Sequence, residues 1–136
     1  TSALGNSCNV YFAHLATDIG AQALQKKAEE MGFNQEFTFG TVPVSKSEID
    51  LSKANANELG WAGVGQYTLT ANPYHMMVLM GAIANGGEYV QPRLTNDLNL
   101  FGSLGKDNRT LVSASEAAQL ESLLLPVPDK NNQKNK

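Results

Sequence analysis

Ser7 and Asn9 stand two positions apart in the run Asn6-Ser7-Cys8-Asn9-Val10, and their side chains suit a site that moves a proton. A hydroxyl both donates and accepts, so it can relay a proton between two other groups, while an amide can orient a neighbour through its donors and its acceptor. Neither is an activated nucleophile without a base beside it. Taken alone the pattern is weak, because Ser7 or Asn9 at this place can equally cap a helix. The chain has one Ser-x-x-Lys, Ser103-Leu104-Gly105-Lys106. It sits in a Gly-rich stretch and is followed by the polar Asp107, Asn108 and Arg109. His14 and His75 lie far apart, and neither has a ligand partner one helical turn on, so no metal site is expected. With Cys8 as the single cysteine, neither an internal disulfide nor a thiolate cluster can form. Gly63-Val64-Gly65-Gln66 lacks the Gly-Lys-Ser/Thr of a phosphate loop and reads as a turn, with Gln66 structural.

Four helices must position these residues. The first runs from about Cys8, with Phe12, Leu15, Ala16 and Ile19 at helical spacing and Thr17 and Asp18 outward, up to a break at Gly20. The second carries Leu24, Ala28 and Met31 on one stripe and a solvated Lys26-to-Glu30 face on the other, and stops at Gly32. From Phe33 to Ala71 only Phe37-Thr38-Phe39 and Thr41-Val42 suggest extended structure. Trp61, within that stretch, is expected to be buried or half-buried. The third helix opens on Asn72 as N-cap with Pro73 at its first position and closes at Asn85-Gly86-Gly87. It is apolar enough to be buried nearly all round, with Met76, Met77 and Met80 as core. Glu88 to Gln91 reads as a short extended run. The fourth helix begins with the capping box Ser113-Ala114-Ser115-Glu116, buries Ala117, Leu120 and Leu124, and ends at Pro126.

The 136 residues are 42% hydrophobic and 17% charged, which suits a folded globular chain. A formal net charge of -3 gives no basic field for nucleic acid, and no apolar run is long enough to cross a bilayer. The chain opens on Thr1 and reads as a segment of a longer protein. Residues 1–128 are expected to form part of one domain, with a polar, frayed tail over 129–136.

Several blocks fall in a telling order: Ser7-Cys8-Asn9-Val10-Tyr11-Phe12-Ala13, Gly63-Val64-Gly65-Gln66, Ala71-Asn72-Pro73-Tyr74-His75-Met76, Ala82-Ile83-Ala84-Asn85-Gly86-Gly87 and Pro92-Arg93-Leu94. In this order and spacing the chain resembles the transpeptidase domain of class B penicillin-binding proteins, of the penicillin-binding protein A type. It departs at Asn72 to His75, where the family more often has Thr and Leu-Gln. The resemblance implies an α+β serine transpeptidase/β-lactamase-like fold, of which this chain is an incomplete and mainly α part. It also implies a D,D-transpeptidase that cross-links peptidoglycan stem peptides ending in D-Ala-D-Ala, and is acylated by β-lactams. Ser7 would be the relaying hydroxyl and Asn9 the orienting amide, with Cys8 turned into the core. In the family the nucleophile's Ser-x-x-Lys opens a buried helix and precedes Ser-x-Asn, so Ser103 is in the wrong place. The family's third motif, Lys-Thr-Gly or Lys-Ser-Gly, is also missing, since no lysine here is followed by Ser or Thr and then Gly, and the chain alone should not acylate. No metal or organic cofactor is implied, and the expected location is the outer face of the cell membrane, through an anchor outside this chain. A non-catalytic β-lactam sensor or pseudoenzyme of the same fold, and a D,D-carboxypeptidase or β-lactamase, stay open as alternatives. An unrelated helical domain would close its core, whereas a partial transpeptidase domain leaves an apolar face exposed and prone to self-association.

Overall fold

A computed structural model describes residues 2–39, 42–92 and 109–125. Its elements are α1 (Ser2–Gly5), α2 (Asn9–Ile19), α3 (Ala21–Glu30), β1 (Phe37–Phe39), β2 (Val42–Val44), α4 (Ala56–Gly63), α5 (Pro73–Ala84) and α6 (Ala114–Leu124). The candidate Ser103-Leu104-Gly105-Lys106, the Arg93-Leu94 block and the 129–136 tail lie outside the described residues.

The helix ends follow local chemistry. Asn72 Oδ1 accepts from the Tyr74 amide at 2.8 Å with Pro73 behind it, and Ser113 and Glu116 close a capping box at α6. An element absent from the sequence reading is α4, inside the stretch taken as irregular. Asn55 accepts from the amides of Asn57 and Glu58, and Glu58 returns a bond to the Asn55 amide, a second complete capping box.

β1 and β2 pair antiparallel, with Phe37 opposite Val44 and Phe39 opposite Val42. The hairpin is tied to α5 by the Tyr74 hydroxyl, which donates to the Thr38 carbonyl at 3.0 Å. The segment after α3 is held by Asn34, at φ +60°. Its side-chain oxygen accepts from the Ile49 amide at 3.1 Å and its side-chain nitrogen donates to the Ile49 carbonyl at 2.9 Å. Glu48 bridges Thr70, and Glu88 bridges Thr110, each as an isolated antiparallel pair outside the hairpin.

The buried apolar residues form two clusters. One, from α2, α4 and the loop between α3 and α4, contains Ala16, Phe33, Ile49, Leu51, Leu59 and Ala62, with Leu24 and Ala28 of α3 against it. The other joins β1, α5 and α6 through Phe37, Val78, Leu79, Ala82, Ile83 and Ala117. Lys27 of α3, expected on a solvated face, donates to Glu116 of α6 and links the two halves.

Four burial expectations fail within the helices. Leu124, expected on the buried side of α6, is 42% exposed. Met77 and Met80 are 52% and 49% exposed, so α5 is buried on one side only. Trp61 is exposed on α4. Leu15 and Ile19 face outward from α2 together with Val10 and Tyr11, while only Phe12, Ala13 and Ala16 turn inward. Helical spacing identifies apolar faces, but the partner of a face must be present for it to be covered.

Candidate active-site loop

Ser7 and Asn9 lie at the head of α2. The amides of Asn6, Ser7 and Cys8 bond back to the carbonyls of Ser2, Leu4 and Ala3 at 3.0, 3.1 and 2.9 Å, so α1 folds the chain into a tight reversal. Asn6 Nδ2 reinforces it with a 2.9 Å bond to the Ser2 carbonyl. The reversal puts Ser7 at φ +50°, a left-handed conformation that costs a residue with a Cβ on the order of 1 kcal/mol. Cys8 returns to extended backbone and is the N-cap, with no side-chain cap bond. The expectation that Ser7 or Asn9 caps the helix is therefore corrected: Ser7 precedes the cap, and Asn9 is the first helical residue. Among the described residues, both side chains are exposed and neither makes a hydrogen bond within the protein. Cys8 is half-buried rather than in the core.

The loop stands on a close helix pair. α2 crosses α4 through Ala13 and Ala16 on one side and Gly60 and Gly63 on the other. A Cβ at Gly60 would make ordinary contact with Ala13 at 3.5 Å. At Gly63 it would collide with Ala16 Cβ and lie 2.8 Å from the Phe12 carbonyl oxygen. The turn after α4 is closed by the Gln66 amide on the Trp61 carbonyl at 2.9 Å, which accounts for Gly63 to Gln66 without any ligand. α4 is the functional support that sequence reasoning missed, and Asn55 with Glu58 was the signal that could have found it.

The outer face of α2 starts beside Ser7 and carries Val10, Tyr11, Leu15 and Ile19, which are 68%, 53%, 38% and 46% exposed. An apolar groove of about 400 Å³ runs between α5 and α6, lined by Met80, Ile83, Ala84, Glu121, Leu124 and Leu125. The two histidines are not brought together: His14 is exposed on α2, and His75 is buried on α5 against Phe33 and Phe37. Among the described residues no helix is long and apolar enough to cross a membrane.

A mainly helical chain with a Ser-x-Asn turn at a helix head is the helical part of a known fold, and the chain belongs to the penicillin binding protein transpeptidase domain family, which it matches over residues 1–136. Peptidoglycan D,D-transpeptidase PbpA of Mycobacterium tuberculosis is 29% identical over 125 residues, covering 88% of this chain and 25% of that protein. The crystal structure of PBPA from the same organism superposes with a TM-score of 0.79 at 27% identity, over 92% of this chain and 30% of that one. Its penicillin G acyl-enzyme complex superposes with a TM-score of 0.73 at 26% identity, over 90% and 29% of the two chains. This chain spans about a quarter of the length of the curated relative.

Proposed function

We propose that this chain is the Ser-x-Asn part of a penicillin-binding D,D-transpeptidase, with Ser7 and Asn9 in the reacting centre. One observation carries the reading: two polar side chains in a family-matched motif are exposed and unbonded, and the first of them, Ser7, is held in left-handed backbone at a cost in strain. In the whole enzyme a serine outside this chain attacks the carbonyl of the penultimate D-Ala of a stem peptide. The Ser7 hydroxyl relays the proton, so that as the peptide C–N bond breaks the terminal D-Ala leaves as a neutral amine. An acceptor amine then attacks the acyl-enzyme, forms the cross-link and restores the serine. Asn9, with both a donor and an acceptor, orients the substrate amide and the lysine beside the nucleophile.

The uncovered face of α2 supports the same reading, since in a whole domain it packs against the elements this chain lacks; in isolation it favours self-association. Residues 1–128 are the domain portion, and the enzyme works on the outer face of the cell membrane.

Labelling with a fluorescent penicillin tests the proposal on the full-length protein and on this chain alone. The full-length protein should label and this chain should not. If neither labels, the protein is a pseudoenzyme of the same fold; if this chain labels, its own Ser103 has to be reconsidered.

A further inference from the structure

His75 stands where the two apolar clusters meet. Its ring is edge-on to Phe33 of the α2–α3–α4 cluster, at 4.9 Å between centroids, and stacks on Phe37 of the α5–α6 cluster at 5.1 Å and 26°. Nε2 lies 2.9 Å from the Met31 carbonyl oxygen at the end of α3. That oxygen can only accept, so Nε2 carries the proton and the ring is held as one tautomer. Gly32, at φ +101°, lets the chain pass close beneath: a Cβ there would lie 2.8 Å from Nε2.

The side chain is 1% exposed, and Nδ1 is buried without a hydrogen-bond partner among the described residues. A second proton has only Nδ1 to go to, where it meets no acceptor and creates a charge among phenyl rings. The charged groups on the packed elements do not compensate. On α3, Lys27 pairs with Glu30 and Glu116, and Glu29 accepts from Gln25 and Asn34. Lys46 and Glu48 are exposed on either side of Ser47, and Glu36 is exposed before β1. Arg109 lies over the Phe37 ring, 4.6 Å from its centroid, and its charge opposes another cation in the stack. Among the described residues none of these forms an ion pair with His75. Burial holds the imidazole below the ordinary histidine range, and the Met31 bond offsets this only in part.

We propose that His75 is an acid-released pin: neutral, it fastens the half carrying Ser7 and Asn9 to the α5–α6 half, and its protonation lets the halves part. The unfolded imidazole takes its proton near pH 6.5, and the folded one only at lower pH. The pin is therefore at full strength above that pH and weakens as pH falls towards the folded value. Within that window the opening equilibrium rises by up to about tenfold per pH unit, the limit for one proton.

Hydrogen–deuterium exchange of the full-length protein, corrected for intrinsic rates, reads this opening in peptides spanning residues 28–37 and 72–79. Protection there should fall with acid below about pH 6.5 in the wild type. His75→Gln keeps an amide donor for Met31 and cannot titrate, so its corrected protection should lose that component. PH-independent protection in the wild type, or the same acid slope in the variant, overturns the proposal. Should the variant not fold, NMR titration of the wild-type imidazole decides, and a His75 resonance titrating at or above about pH 6.5 sinks the idea.

Discussion

Lys27 of α3 donates from its Nζ to Glu116 Oε1 of α6, joining residues 89 positions apart. Glu116 at the same time accepts from the Ser113 amide at 2.9 Å as the third residue of the α6 capping box, so one carboxylate serves both a tertiary tie and a helix end. Lys27, followed by Ser113, holds its carboxyl down to about 2, and the lysine is raised in turn by Glu116.

Acid should therefore loosen α6 in a defined window. The folded value of Glu116 is depressed, so its contribution is complete above the ordinary value of 4.5 and is lost as pH falls from there towards 2. Glu116→Gln should lower the thermal midpoint at neutral pH and flatten its decline over that window. Parallel midpoint-versus-pH curves for the two proteins would show that the tie contributes nothing. This window lies below pH 6.5, where the His75 response begins.

The α2–α4 crossing predicts opposite responses at two neighbouring glycines. Gly63→Ala pushes a methyl group into Ala16 and the Phe12 backbone and should destabilise by about 1–3 kcal/mol. Gly60→Ala meets only ordinary contacts and gains helix propensity, so it should be neutral or stabilising by up to about 1 kcal/mol. Urea unfolding of the two variants compares them directly; equal effects would mean that the crossing is looser than described.

Ser7 should separate stability from activity. Ser7→Gly relieves a left-handed residue and should stabilise the fold by about 1 kcal/mol. The same change removes the hydroxyl proposed as the proton relay and should slow acylation of the full-length protein about 10²- to 10⁴-fold. Ser7→Ala should slow acylation equally without the gain in stability. The rate constant for fluorescent penicillin is the readout, and an unchanged rate in either variant would remove Ser7 from the mechanism.

The uncovered stripe of α2 should behave differently in the two contexts. Leu15→Glu with Ile19→Lys alters exposed positions of this chain, so the isolated chain should keep its helicity and lose self-association in light scattering. If that face packs against the rest of the domain in the full-length protein, as proposed, the same pair places charges in the contact and should lower stability by several kcal/mol. A full-length protein indifferent to both changes would argue that nothing packs there.

The sequence made some elements plain and hid others for physical reasons. Asn72-Pro73 and the Ser113–Glu116 box announce α5 and α6 because capping is local chemistry. The box at Asn55 and Glu58 is equally local, yet α4 escaped notice because Gly60 and Gly63 lower helix propensity. Those glycines serve the approach of α2, a long-range fact. Likewise the periodicity of α2 and α5 identifies apolar faces, but not that Leu15, Ile19, Met77 and Met80 lie uncovered. For the loop, the residue types and the order of the flanking blocks led to the family. The positive φ of Ser7, and its failure to cap, depend on the bonds of Asn6, Ser7 and Cys8 back to α1, which no spacing rule contains.

Asn34 carries a constraint of another kind. It stands at φ +60°, and its amide meets both halves of the Ile49 peptide edge, one donor and one acceptor in register, as a neighbouring strand would. Glycine accepts that backbone but brings no amide; aspartate brings two acceptors and sets one against a carbonyl; glutamine reaches a methylene too far. Conformation and bonding together leave position 34 an alphabet of one letter, so variation in this region should accumulate around it and not at it.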